Sequence, residues 1–115
     1  MTNTLNKIGP LTEADVSELV ANLFFKANYQ LPADVFARLN TIYEKETGPN
    51  AKEATRQIIE NAVKARKNER PMCQDTGFPV VFVQYGQQVQ FEGDLTRAIN
   101  VGVVKGSLQR ETRSQ

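Results

Sequence analysis

The hydrophobic period of this chain changes across residues 71–77, and that change dictates where regular elements can form. Up to residue 70, apolar side chains recur at helical spacing; from Phe78 they crowd into a short β-branched and aromatic run. Between the two lies Pro71-Met72-Cys73-Gln74-Asp75-Thr76-Gly77, which holds the only cysteine of 115 residues. A turn-forming Pro and Gly bracket a thiol, a carboxamide, a carboxylate and a hydroxyl. A cysteine packed as a small hydrophobe needs no such neighbours. A loop between a helix and a strand is a common mounting for catalytic groups.

The pattern before the loop predicts three helices. Thr12 reads as a cap, with Glu13 and Asp15 in the first turn, and Val16, Leu19, Val20, Leu23, Phe24 and Ala27 make the apolar stripe of a helix over 12–28. Pro32 opens a second helix with a buried stripe of Val35, Phe36, Leu39, Ile42 and Tyr43, stopped by Gly48-Pro49. A third, from about residue 50 to 68, carries Ala51, Ala54, Ile58, Ala62 and Ala65 on one face and ends in a basic run over 64–70. Beyond the loop, residues 78–85 suit a strand buried on both faces, Gly86-Gln87 turns the chain, and Val89-Gln90-Phe91 is a hairpin partner. Asp94 reads as the cap of a fourth helix bearing Leu95, Ala98, Ile99, Val101 and Val103, its end weakened by Gly102 and Gly106. The fold class is α+β: three helices, a small β element, one more helix. Residues 1–10 are read as a flexible arm and 11–115 as one domain.

Composition narrows the function. A net charge of +1 gives no global attraction to nucleic acid or an anionic membrane. No apolar run reaches the roughly 20 residues that span a bilayer, and the first ten residues lack a secretory layout. One cysteine precludes an internal disulfide and accords with a reducing, cytoplasmic setting. With no histidine, this chain cannot supply a histidine triad or a histidine zinc site.

The loop, preceded by Glu60-Asn61-Ala62 on a helix and followed by Val80-Val81-Phe82-Val83, resembles the N-terminal part of the iron–sulfur fumarate hydratases of class I and the related L-tartrate dehydratases. Gly93-Asp94-Leu95, then Ala98-Ile99 and Gly102-Val103, also fit that family's layout. The resemblance runs from about residue 33 to the end and is to the alpha subunit or alpha region. It implies that Cys73 ligates one iron of a four-iron, four-sulfur cluster, two further cysteines coming from later in the polypeptide and one iron staying open as a Lewis acid. It implies a hydro-lyase acting on a small dicarboxylate, interconverting fumarate and malate or dehydrating tartrate. It also implies a metal-binding partner arrangement: the remainder of the enzyme or a beta subunit, and homo-oligomers, commonly dimers.

The residue chemistry accords with those roles. Thiolate is the soft ligand that iron–sulfur clusters use. Gln74 carries a donor and an acceptor for a substrate carboxylate or hydroxyl, and Asp75 can exchange a proton with bound substrate as well as contact it. Thr76 and Gly77 can expose backbone N–H groups. Arg113, followed by Ser114, stands where the family has a substrate-binding arginine, with Arg110 as its rival; either guanidinium can fork onto a carboxylate. Against these stand plainer readings: an inert thiol at Cys73, a turn-capping carboxylate at Asp75, solvated tail arginines. One cluster cysteine out of three predicts a chain inactive alone, the N-terminal part of the larger enzyme. The alternative is a stand-alone, non-catalytic interaction module or truncated gene product that keeps the fold.

Overall fold

A computed structural model describes residues 4, 5, 8–75 and 77–114, the last two by backbone alone. Its elements are β1 (Leu11–Thr12), α1 (Glu13–Tyr29), α2 (Ala33–Lys45), α3 (Pro49–Asn68), β2 (Phe91–Glu92) and α4 (Leu95–Ser114). The mostly helical chain with one small sheet agrees with the α+β reading and its four helices.

Local chemistry sets the helix starts. Thr12 caps α1 in a reciprocal box: its hydroxyl accepts from the Asp15 N–H at 3.3 Å, and the Asp15 carboxylate accepts from the Thr12 N–H at 2.9 Å. Pro32 stands just outside α2, and Pro49 is at the first position of α3, where a missing N–H costs nothing. Asp94 caps α4 by accepting from the Arg97 N–H at 3.0 Å. The α3 helix ends at Glu69, in left-handed conformation (φ 48°), whose N–H returns to the Ala65 and Arg66 carbonyls.

The core lies between α1 and α4. Val16, Val20 and Ala98 are buried there, with Leu5, Phe91, Leu95, Ile99 and Val103 packed around them. Leu5, in the segment expected to be a flexible arm, thus packs on the core; residues 1–3, 6 and 7 of that arm lie outside the described residues. The buried Ser17 hydroxyl donates to the Ala98 carbonyl at 2.8 Å. Gly102 abuts Ser17 and Val20, and Gly106 abuts Ala21 and Phe24, so the contacts advance together and the two helices run parallel. The strands that lead into them are parallel too, with Leu11 opposite Phe91 and Thr12 opposite Glu92. Two strand-to-helix corners, 80 residues apart in sequence, therefore pack side by side. Helices α2 and α3 form a second pair, bridged where the Lys52 ammonium sits 4.8 Å from the Tyr43 ring.

Several expectations need correction. Residues 78–85 form no strand: the stretch has no regular structure and is exposed, with Phe78 96 % and Phe82 92 % accessible. β-propensity supplies no hydrogen-bond partner, and no strand among the described residues lies beside it. The sheet is accordingly a parallel pair between Leu11–Thr12 and Phe91–Glu92 rather than a hairpin closing on residues 89–91, although the turn itself forms, with the Val89 N–H donating to the Gly86 carbonyl at 3.0 Å. The α2 stripe is not buried: Val35 and Ile42 are exposed, and Phe36, Leu39 and Tyr43 are only half-buried. On α3, Ala62 and Ala65 are buried while Ala51, Ala54 and Ile58 face solvent. Gly102 and Gly106 do not weaken the end of α4, which runs on to Ser114; they let it approach α1 closely.

Candidate active site

The cysteine loop leaves the C-terminal end of α3 and is fixed through its backbone. The Met72 N–H donates to the Asn28 carbonyl at the end of α1, at 2.8 Å. The Asn61 carboxamide on α3 donates to the Met72 carbonyl, also at 2.8 Å. One guanidinium nitrogen of Arg110 on α4, Nη2, donates to two successive carbonyls, Cys73 at 3.1 Å and Gln74 at 3.0 Å. Three helices thus hold the main chain of three successive residues, Met72, Cys73 and Gln74. Polar side-chain clamps of this kind satisfy carbonyls that no regular element pairs.

With the backbone held from below, the reactive side chains are left outside. Pro71 and Met72 are half-buried, whereas Cys73, Gln74 and Asp75 are exposed. The Cys73 thiol is free and donates to the Asp75 carbonyl at 3.3 Å, which keeps it over its own turn. Gly77 then adopts φ +62° with open space around its Cα, a left-handed position that glycine takes without strain. Thr76 lies outside the described residues. Arg113 is in the last turn of α4, and its side chain also lies outside them, so its relation to Gln74 and Asp75 is not part of this geometry. The three loop residues expected to act together, Cys73, Gln74 and Asp75, are consecutive and all face solvent.

Arg110, weighed as a rival substrate arginine, has a different place. It is 7 % exposed, its Nη2 is occupied by main-chain carbonyls, and among the described residues its Nε has no hydrogen-bond partner. The roles of Asn28, Asn61 and Arg110 escape a reading of the sequence. Asn61 belongs to the resemblance, but its carboxamide meets a carbonyl eleven residues away, and Arg110 meets carbonyls 36 and 37 residues away, separations with no periodic signature.

A cluster ligand should be an accessible thiol, and Cys73 meets that requirement. Among the described residues no group of three or more Cys, Asp or Glu side chains is placed to hold a metal ion, so Cys73 fits as one ligand and not as a complete set. No helix among them is long and apolar enough to cross a membrane.

The family model described as Fumarate hydratase (Fumerase) matches residues 17–115. A Methanocaldococcus jannaschii protein provisionally named L(+)-tartrate dehydratase subunit alpha is 39 % identical over 74 residues, 64 % of this chain and 26 % of that protein. The L(+)-tartrate dehydratase subunits alpha of Escherichia coli O157:H7 and of Shigella sonnei are each 29 % identical over 98 residues, 85 % of this chain and 32 % of theirs. The matched regions thus span about a quarter to a third of those relatives. The family match takes in α2, α3, the cysteine loop, β2, α4 and most of α1, and on it the chain belongs to the fumarate hydratase (Fumerase) family.

Proposed function

We propose that this chain is the N-terminal, alpha-type part of an iron–sulfur hydro-lyase that adds water reversibly to fumarate or removes it from tartrate, and that it works only with the remainder of the enzyme or a beta subunit. One observation carries the reading: the exposed Cys73-Gln74-Asp75 triplet is presented on a backbone pinned by three helices, inside the region matched by the family. A site that must present a ligand and a substrate contact in fixed relation gains from such pre-organisation.

In this reading the Cys73 thiolate holds one iron of a four-iron, four-sulfur cluster. When bound, that cluster supplies a Lewis acid at an iron without a protein ligand. The chain's own residues do the rest. Gln74 donates from its carboxamide to a substrate carboxylate or hydroxyl oxygen. Asp75 exchanges the proton that is gained or lost at the carbon beside the reacting one. Arg113 forks onto the distal carboxylate. The family description names fumarate and the relatives' names L(+)-tartrate, so both are candidates, acted on by a soluble, cytoplasmic oligomer.

The test is anaerobic reconstitution of the full gene product, with any co-purifying subunit, followed by assay on fumarate, malate and tartrate. Cys73→Ala should lose the cluster's absorbance and essentially all activity. Asp75→Asn should keep the cluster and lower kcat by about 100-fold or more, the usual weight of a positioned acid–base group. Full activity in Cys73→Ala would overturn the assignment.

A further inference from the structure

Arg110 is a cation 7 % exposed, and among the described residues no carboxylate pairs with it. Burying a guanidinium without a counter-ion is expensive, and an orphaned donor adds to that cost. Its Nε is such a donor. A methionine or leucine would fill the same place on α4 without the cost of burying a charge, so packing alone does not account for the residue. The guanidinium does what no apolar side chain could, drawing two successive carbonyls, of Cys73 and Gln74, onto one nitrogen. Carbonyls of adjacent residues point apart in an extended strand. Turning both inward toward α4 curls the main chain, and the side chains of this triplet are the ones left exposed.

We infer that Arg110 is a positioning residue: it sets the backbone of Cys73 and Gln74 from beneath the loop, and its buried charge offsets the negative charge that collects above when the loop carries thiolate, carboxylate and a dicarboxylate. The functional half of this inference rests on the hydro-lyase reading; the clamp itself does not. The Arg110 contacts are to main-chain carbonyls of the loop and not to its reactive side chains. The assignment separates two neighbouring arginines, Arg113 acting on substrate and Arg110 on main chain. Lysine cannot replace it fully, because a point charge on a flexible stem does not reproduce the planar donor pair.

The experiment compares Arg110→Met, Arg110→Lys and Arg113→Met in the full gene product. The first readout is made without any cluster: hydrogen exchange of the Met72 amide, the loop N–H that donates to the Asn28 carbonyl, and the alkylation rate of Cys73 by iodoacetamide. Arg110→Met should speed loop exchange by about tenfold or more, the equivalent of one charge-assisted hydrogen bond. Alkylation should change in parallel, with exchange in Val16, Val20 and Ala21 unaltered. Arg110→Lys should fall between, which keeps the reading available if the methionine variant does not fold. In reconstituted protein Arg110→Met should lower bound iron and kcat with little change in KM, whereas Arg113→Met should raise KM and leave loop exchange alone. Wild-type loop exchange and alkylation in a folded Arg110→Met or Arg110→Lys protein would overturn the clamp. Loss of the clamp signature together with a wild-type enzyme that turns over none of the dicarboxylates would instead overturn the hydro-lyase reading and leave the clamp standing.

Discussion

Glu13 shows how much a single exposed side chain can organise when its partners come from another element. It begins α1, yet its carboxylate accepts from the Arg97 Nε at 2.8 Å and Nη2 at 3.0 Å, and from the Asp94 N–H at 3.3 Å, all at the start of α4. The Arg97 hydrogen bond, first among the causes, holds the Glu13 carboxyl below its ordinary value of 4.5. On α3 the Arg56 and Gln57 side chains likewise hold Glu53 down to about 2. Both groups have folded-state values beneath their unfolded ones. Their contribution is therefore complete above about pH 4.5 and is lost as pH falls through the folded values, toward 2 for Glu53. The expected outcome is a melting temperature that falls between pH 4.5 and 2. Glu13→Gln and Glu53→Gln should each flatten that fall, and added salt should weaken it, since both pairs face solvent. A slope unchanged in both variants would show that other carboxylates carry the acid response.

At the scale of elements, the parallel α1–α4 pair is decided by two glycines. A Cβ at Gly102 would stand 2.6 Å from both the Ser17 carbonyl oxygen and the Val20 Cβ, and one at Gly106 2.9 Å from the Ala21 carbonyl oxygen. In an isolated helix Gly→Ala gains about 1 kcal/mol. Here the new methyl meets main chain that cannot step aside, and overpacking of this kind costs about 1–3 kcal/mol. Gly102→Ala is therefore expected to destabilise by up to about 2 kcal/mol, read as a lower urea midpoint with an unchanged slope. A stabilised variant would mean that helix propensity outweighs the crossing. At Gly93 (φ 118°) a Cβ would meet Glu13 Cγ at 2.5 Å, so the corner leading into α4 also depends on glycine.

Taken whole, the molecule is elongated, 55 × 34 × 21 Å with a radius of gyration of 17.4 Å, against about 13 Å for a compact domain of this length. It exposes a contiguous apolar run, Phe78, Val80, Val81, Phe82 and Val83, beside the cysteine loop. Exposed chain outside any sheet with large β-branched and aromatic side chains is a template for strand pairing. Covering of this run by other parts of the assembled protein is the expected outcome, with its amides strongly protected from exchange and Phe82→Asp blocking assembly. Free exchange of amides 78–83 in the assembled protein would contradict it.

What the sequence determined by itself was local: helix starts at Thr12, Pro32 and Asp94, the turn at Gly86, and the composition of the loop around Cys73. Each depends on residues within four positions of one another, and caps, turns and periodicity act over that range. Only the tertiary structure decided the rest. It paired Leu11–Thr12 with Phe91–Glu92, left the β-like run at 78–85 without a partner, and turned Gly102 from a weak point into a crossing. It also took Arg110 from the substrate candidates to the underside of the loop. Those outcomes depend on groups at least 36 residues apart meeting in space, and no local propensity encodes which of them will meet.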